Sequence, residues 1–203
     1  MEGVPPSSGF VNMSDGLDRI DKISSSRIGS CVLFSVVFAV LVALDQVFKM
    51  LIVNNVKGPG SVTVIDKFFY LYYAENTGSA LSLFADKPWG IYFLSGVSLV
   101  LGIVIFALMI IASKNNMKLL AFSFCLLSAG AIGNLIDRFR LKYVIDFLRF
   151  DFGSYTFPIF NFADICAVCG TVLVICIIIF GSKYFESFWN LLFAKRKTEN
   201  ADR

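Results

Sequence analysis

An all-α membrane protein with four transmembrane helices, a small extracytoplasmic β element and a short extracytoplasmic loop or helix is the fold class this sequence predicts. Three observations carry that prediction. Hydrophobic residues make up 57% of the 203 residues, 22 of them Phe, against 16% charged, well above the apolar share of a water-soluble domain. The apolar content is gathered into four runs, at 29–53, 89–112, 119–136 and 162–180, of the length needed to cross a hydrocarbon core of roughly 30 Å at about 1.5 Å per residue. One six-residue link and two long connections separate the runs.

Residues 1–28 contain Ser, Gly, Asp and the adjacent Pro5 and Pro6 with little apolar periodicity, which predicts a mobile polar tail without a catalytic role. The membrane domain spans 29–182. Its first run has no small-residue cleavage site and is too long for a signal-peptide core, so it is expected to stay attached. In the connection 54–88, SVTVID and KFFYLYYAEN are rich in β-branched and aromatic residues, which predicts two short strands at the membrane surface. The SKNNMK link at 113–118 makes the second and third runs an antiparallel hairpin. The connection 137–161 is again long, and function tends to sit in such connections. After the fourth run, 183–203 reads as a tail carrying Lys195, Arg196 and Lys197. The two tails and the short link together carry ten Lys or Arg, against seven in the two long connections. By the positive-inside rule both termini are then cytoplasmic and both long connections extracytoplasmic.

The chain has no histidine, which excludes Ser/His/Asp and Cys/His triads, HExxH zinc sites and histidine general bases. An acid or base must therefore be Asp, Glu, Lys or Tyr. Cys31, Cys125, Cys166, Cys169 and Cys176 all fall in apolar runs, where a thiol behaves as a small hydrophobe, and an odd count gives no disulfide framework. The CAVC pair at 166–169 has no βαβ context or second ligand pair, so it reads as packing. A net charge of +3 with scattered basic residues does not suggest nucleic-acid binding, and no cofactor or metal is expected.

The polar residues are more informative than the apolar ones. Asp45 lies roughly 24 Å along the first run at about 1.5 Å per residue, near its outer end, with Lys49 one turn further. Asn134, Asp137 and Arg138 close the third run, Asp164 opens the fourth, and Asn76 and Asp146 belong to the two outer connections. All therefore reach one interface, even if the whole topology is inverted. Charges near a bilayer are costly enough that such clustering points to a functional site. Each has a plainer reading as well. Asp45 and Lys49 form a favourable i, i+4 helix pair, and Arg138 has the reach to snorkel to headgroups beside Asp137. Asn134, within AGAIGN, suits a close helix contact. Asn161 and Asp164 fit an N-cap followed by an acidic residue at N3. Asp146, within VIDFLRF, has no basic residue within two positions, and burial there would raise its pKa. Two carboxylates in one pocket, one raised by desolvation and one held ionised by a helix N-terminus, make an acid/base pair without histidine.

Five stretches then resemble one family in order: DQVFK (45–49), ENTGSALSLF (75–84), AGAIGNLIDRFR (129–140), VIDFLRF (144–150) and FPIFNFADICAVCG (157–170). Together they are similar to lipoprotein signal peptidase, the signal peptidase II family of intramembrane aspartic proteases. The resemblance implies a catalytic pair at Asp146 and Asp164, supported by Asp45, Lys49, Asn76, Asn134, Arg138 and Asn161, with Asn161 and Arg138 nearest the chemistry. It implies a prolipoprotein substrate already carrying diacylglycerol, cleaved just before the lipidated cysteine. It also implies a bacterial inner-membrane location with the site on the extracytoplasmic face, contact with membrane lipid and, as an expectation, a monomer. On this reading 141–150 and the outer strands close over the substrate, and KFFYLYYAEN lies on the outer leaflet to guide the lipidated chain. Three positions depart from the family pattern: Ala129 replaces a glycine, a small steric change expected to be tolerated, and Ser79 and Leu81 stand beside Asn76.

Readings from other classes are a small transporter or proton relay using the same charges, a hard-metal site of aspartate and asparagine oxygens, and a non-catalytic packing protein. Against the first, the polar residues gather at one face rather than the midplane, with no inverted repeat. Chelator insensitivity separates the second, and tolerance of Asp146→Asn and Asp164→Asn the third.

Overall fold

The computed structural model describes residues 13–78 and 89–193, with side chains from residue 25 onward. Among these residues the order is α1 (Met13–Asn55), β1 (Ser61–Ile65), β2 (Phe69–Asn76), α2 (Gly90–Lys114), α3 (Lys118–Leu141), β3 (Val144–Phe152), β4 (Tyr155–Thr156), α4 (Phe162–Phe180) and α5 (Ser182–Phe193). Four helices are long and apolar enough to cross a membrane: the Ser25–Asn55 part of α1, and α2, α3 and α4. Their outward faces are apolar. Val32, Val36 and Val40 on α1, Val100 and Ile103 on α2, and Val168, Val172 and Ile179 on α4 are all exposed, whereas Asp45, Lys49, Asp137 and Arg138 are buried. This inverts the pattern of a water-soluble bundle and suits lipid as the surrounding solvent.

Helix α3 is the hub. Of its most apolar 18-residue stretch 61% is buried, against 11%, 17% and 22% for α1, α2 and α4. Its small residues make that possible. A Cβ on Gly130 would lie 2.5 Å from the Ala163 carbonyl oxygen, and one on Gly170 of α4 would lie 2.8 Å from the Ser123 carbonyl oxygen, so both glycines let the α3 and α4 backbones approach directly. Ala129, one position before Gly130, is buried with its methyl accommodated.

The sheet caps one end of the bundle. All its pairs are antiparallel in the order β1-β2-β3-β4. Register is set by Ser61↔Tyr72 between β1 and β2, and by Ala74↔Asp146 and Asn76↔Val144 between β2 and β3. Residues Val144–Phe147 are buried on both faces: Ile145 and Phe147 pack with Ile52 and Val56 of α1, while Asp146 on the other face meets Asn161 at the start of α4. Two apolar clusters result. One, including Phe34, Met109, Leu120, Phe124 and Ile177, fills the far end of the bundle; the other, Ile52, Val56, Ile145 and Phe147, lies under the sheet. Along α1 the order is Phe34, then Asp45 and Lys49, then Ile52, so the polar residues form a layer between the two.

Three expectations need correcting. Helix α1 starts at Met13, so part of the expected 1–28 polar tail is helical: no proline follows Pro6 in this stretch, and extending an established helix is far cheaper than nucleating one. The outer connection expected as a loop or short helix is the strand β3, because VIDFLRF pairs with the open edge of β2, whose backbone groups need partners. Residues 183–193 of the expected tail belong to α5, whose Phe188 is buried beside Phe124. Residues 1–12, 194–203 and the departures Ser79 and Leu81 lie outside the described residues.

Candidate active site

Helix α4 is fixed at its start by its own sequence. Asn161 is extended at the N-cap; its side-chain oxygen accepts from Asp164 N at 3.0 Å, while Asp164 Oδ2 accepts from Asn161 N at 3.1 Å. This reciprocal box satisfies two otherwise orphaned backbone donors, worth about 1 kcal/mol for such a cap. A second tie comes from β3. Phe160 O accepts from Phe147 N (3.0 Å) and Leu148 N (2.8 Å), and Phe160 N donates to Leu148 O (3.2 Å). The chain entering α4 is thereby stitched to the strand that carries Asp146, and Asn161 follows one residue later.

The two carboxylates occupy unlike surroundings. Asp146, 3% exposed, accepts from Asn161 Nδ2 at 2.6 Å on one oxygen and from Asn76 Nδ2 at 2.8 Å on the other. Burial pushes its pKa up to about 6, and the Asp164 charge adds to this; the Asn76 and Asn161 amides and the Lys49 charge oppose it. Asp164 is half-buried and sits in the first turn of α4, where the helix dipole favours a negative charge. Its Oδ1 accepts from Asn134 Nδ2 at 2.8 Å. Asn161 touches both residues, giving Asp146 its amide and Asp164 its backbone N–H.

Behind the pair lies a closed ionic cluster. Lys49, 2% exposed, places Nζ 2.8 Å from Asp45 Oδ2, 2.9 Å from Asp137 Oδ2 and 3.1 Å from Asn134 Oδ1, so each of its three ammonium protons has an acceptor. Asp45 Oδ1 accepts from Ala163 N at 3.0 Å and thus holds the first turn of α4 from α1. Asp137 Oδ2 also accepts from Ile145 N at 3.1 Å, tying α3 to β3. A Cβ on Gly133 would lie 2.7 Å from Asp45 Oδ2, so only glycine leaves that carboxylate its place. Arg138, 8% exposed, reaches Gly78 O and Ser98 Oγ, each at 3.4 Å. Its Nε is buried without a partner among the described residues.

The structure brings all eight sequence-derived positions into one network. Asp45, Lys49 and Asn134 run to Asp164. From Asn134 the path continues through Asn161 and Asp146 to Asn76, whose Oδ1 accepts from Gly78 N at 2.9 Å, and Gly78 O meets Arg138. Sequence reasoning gave Asp137 no partner and left Gln46 and Ser98 aside. Asp137 is the second carboxylate on Lys49, and its signal was the i, i+3 spacing from Asn134. Gln46 donates to Asp45 Oδ2, Gly133 O and Asp137 Oδ1, and nothing in the sequence distinguishes it from a lipid-facing glutamine near a helix end. Ser98, in the middle of an apolar run, likewise gave no signal. Of the CAVC pair, Cys166 is buried and Cys169 exposed on the outward face, and all five cysteines are free.

A four-span bundle whose buried charges converge at one end beneath a small sheet defines a multi-pass membrane protein with an enzyme-like polar centre. Comparison with known proteins identifies which one. Residues 37–180 match the family described as Signal peptidase (SPase) II, and the chain belongs to that family. It is 39% identical to a lipoprotein signal peptidase of Clostridium tetani (strain Massachusetts / E88) over 68% of this chain and 86% of the relative. It is 37% identical to one of Bacillus pumilus (strain SAFR-032) over 76% and 97%. Among solved structures it resembles two bacterial membrane enzymes obtained by the in meso method at 2.3 and 1.9 Å resolution. Identities are 30% and 31%, TM-scores 0.65 and 0.60, with 76% and 74% of this chain covered and 90% and 93% of theirs. It is accordingly a bacterial membrane protease.

Proposed function

We propose that the protein is an aspartic endopeptidase that removes the signal peptide from diacylglyceryl-modified prolipoproteins, cleaving the peptide bond just before the lipidated cysteine. The observation that carries this reading is the asymmetric carboxylate pair: Asp146 buried with its pKa pushed up to about 6, Asp164 half-buried in the first turn of α4, both anchored by Asn161. Ionised Asp164 takes a proton from water as the water oxygen bonds to the scissile carbonyl carbon, and Asp146 gives its proton to the carbonyl oxygen. The tetrahedral species collapses when Asp164 passes its proton to the departing nitrogen and Asp146 recovers one from the hydroxyl. The C–N bond breaks, leaving a carboxyl end on the signal peptide and a free amine on the lipidated cysteine.

The other residues act through this pair. Asn76 and Asn161 orient Asp146, Asn134 orients Asp164, and Lys49 and Asp45 hold Asn134 and the α4 terminus. Arg138, with an unused buried N–H, is suited to donate to the substrate backbone carbonyl beside the scissile bond. The Lys/Arg distribution supports cytoplasmic termini and an extracytoplasmic site. There the lipid chains and signal helix stay in the bilayer while water reaches the outer edge. The protein acts as a monomer without a metal.

The test is conversion of a diacylglyceryl-modified prolipoprotein peptide by purified protein in detergent. Asp146→Asn and Asp164→Asn are each expected to lower kcat by on the order of 10²–10⁴-fold, with the melting temperature within a few degrees of the parent and no effect of chelator on the parent. A kcat that falls by less than about tenfold after either replacement overturns the mechanism.

A further inference from the structure

The opposite end of the bundle carries a groove that peptide cleavage does not use. There α3 begins and α4 ends, and α5 turns away below them. Together they line an open groove of about 650 Å³, walled by Leu119, Leu173, Ile177, Phe180 and Tyr184, with the exposed Lys118 also on its lining. From Lys118 to Asp137, α3 rises roughly 28 Å at about 1.5 Å per residue, so groove and carboxylates lie near opposite surfaces of a bilayer.

Two independent observations bear on the kind of molecule it fits. The first is α5, which follows α4 after the single residue Gly181 and lies half on the protein: Phe188 is buried, while Phe185, Trp189 and Phe193, a turn apart, form a run of rings at 6.5 and 4.3 Å. Trp189 is 53% exposed and Lys183 and Glu186 are exposed, the pattern of a helix lying among headgroups. The second is charge. Lys114, Lys118 and Lys183 are exposed at this end, opposed among the described residues of α5 and the 113–118 link by Glu186 alone, and the sequence continues to Lys195, Arg196 and Lys197. An apolar trough with a cationic lip at bilayer depth is complementary to a negatively charged amphiphile.

We propose that this groove binds one anionic glycerophospholipid of the leaflet remote from the carboxylates. Its acyl chain lies along Leu119, Leu173, Ile177 and Phe180, and its phosphate meets Lys118 within the field of Lys114 and Lys183. Helix α5 lies in the interface as the groove's outer wall. The inference does not depend on the peptidase reading, since its readout is lipid retention rather than cleavage.

Native mass spectrometry of the full chain, delipidated and offered phosphatidylglycerol or phosphatidylcholine of the same acyl length, tests it. One phosphatidylglycerol is expected to be retained at least fivefold more strongly than phosphatidylcholine. Lys118→Gln with Lys183→Gln is expected to reduce that retention by roughly fivefold per lysine. Leu173→Trp, which fills the trough and leaves the charges alone, should remove the bound lipid while helical circular dichroism stays unchanged. Equal retention of the two lipids, indifference to the lysine changes, displacement by inorganic phosphate, or a lipid-free dimer occupying the groove would each overturn the proposal.

Discussion

Two groups of charged side chains meet at the capped end of this bundle, and they are built on opposite principles. Asp45, Lys49 and Asp137 form a closed cluster in which every ammonium proton is used, all three residues are at most 2% exposed, and the carboxylates also hold backbone N–H groups of α4 and β3. Asp146 and Asp164 have no direct cation partner among the described residues; amides and a helix end satisfy them instead, and Asp164 is only half-buried. The first group ties α1, α3, α4 and β3 together, whereas the second leaves Asp146 under a burial that raises its pKa and that only neutral amides offset by direct hydrogen bonds.

That contrast is breakable in both directions. The largest effect belongs to the pair itself, where loss of either carboxylate is expected to lower kcat by on the order of 10²–10⁴-fold and leave the fold in place. Next comes Lys49→Met, which strands two buried carboxylates. It is expected to cost about 3–5 kcal/mol of stability, read as a lowered unfolding midpoint in detergent. Unfolding that matches the parent would mean the cluster is not the anchor described. Gly133→Ala, which pushes on Asp45 Oδ2, should cost about 1–3 kcal/mol, and a double variant with Lys49→Met should show less than the sum, because both act through one carboxylate.

The pH profile sharpens the other half. Asp146 has its pKa raised to about 6, so the protonated form required as acid predominates below that value and is lost above it. The expected kcat/KM therefore falls as pH rises through an apparent value near 6, a property of the pair rather than of one residue. Asn76 donates to Asp146 and favours its ionised form. Asn76→Ala removes that donor, so the descending limb should move to higher pH; a shift to lower pH would contradict the arrangement. The smallest effect is expected at Phe68, which is 39% exposed and packs edge-on to Phe150 and Phe152. Phe68→Ser should raise KM for membrane-embedded substrate a few-fold with kcat unchanged. Its neighbour Phe69 stacks on Phe150 at 4.7 Å, so changing Phe68, Phe69 and Tyr70 together would confound guidance with loss of the sheet.

The candidate site was largely legible because charged residues in apolar runs are conspicuous and because helix ends can be counted. Asp45 and Lys49 announce themselves by their setting in α1, and FNFAD shows its capping box directly. Gln46 and Ser98 were not legible, since an amide near a helix end costs little when it faces headgroups and a serine inside an apolar helix can bond its own backbone. Asp137 was noticed but given no partner. Its pairing with Lys49 depends on the rotation of α3 against α1, which no local spacing encodes.

The sequence alone determined the four spans, the side of the bundle on which the polar residues gather, and the local start of α4, because these follow from hydropathy, helical rise and capping chemistry within a few residues. Only the tertiary structure decided that 144–152 is a strand, that 182–193 forms a helix with Phe188 packed on Phe124, and that Asp146 and Asp164 share Asn161. Strand pairing with β2, burial of Phe188 against Phe124 and the ties of Phe160 to β3 are contacts between segments distant in the chain. Their free energy depends on which surfaces the packed bundle leaves open.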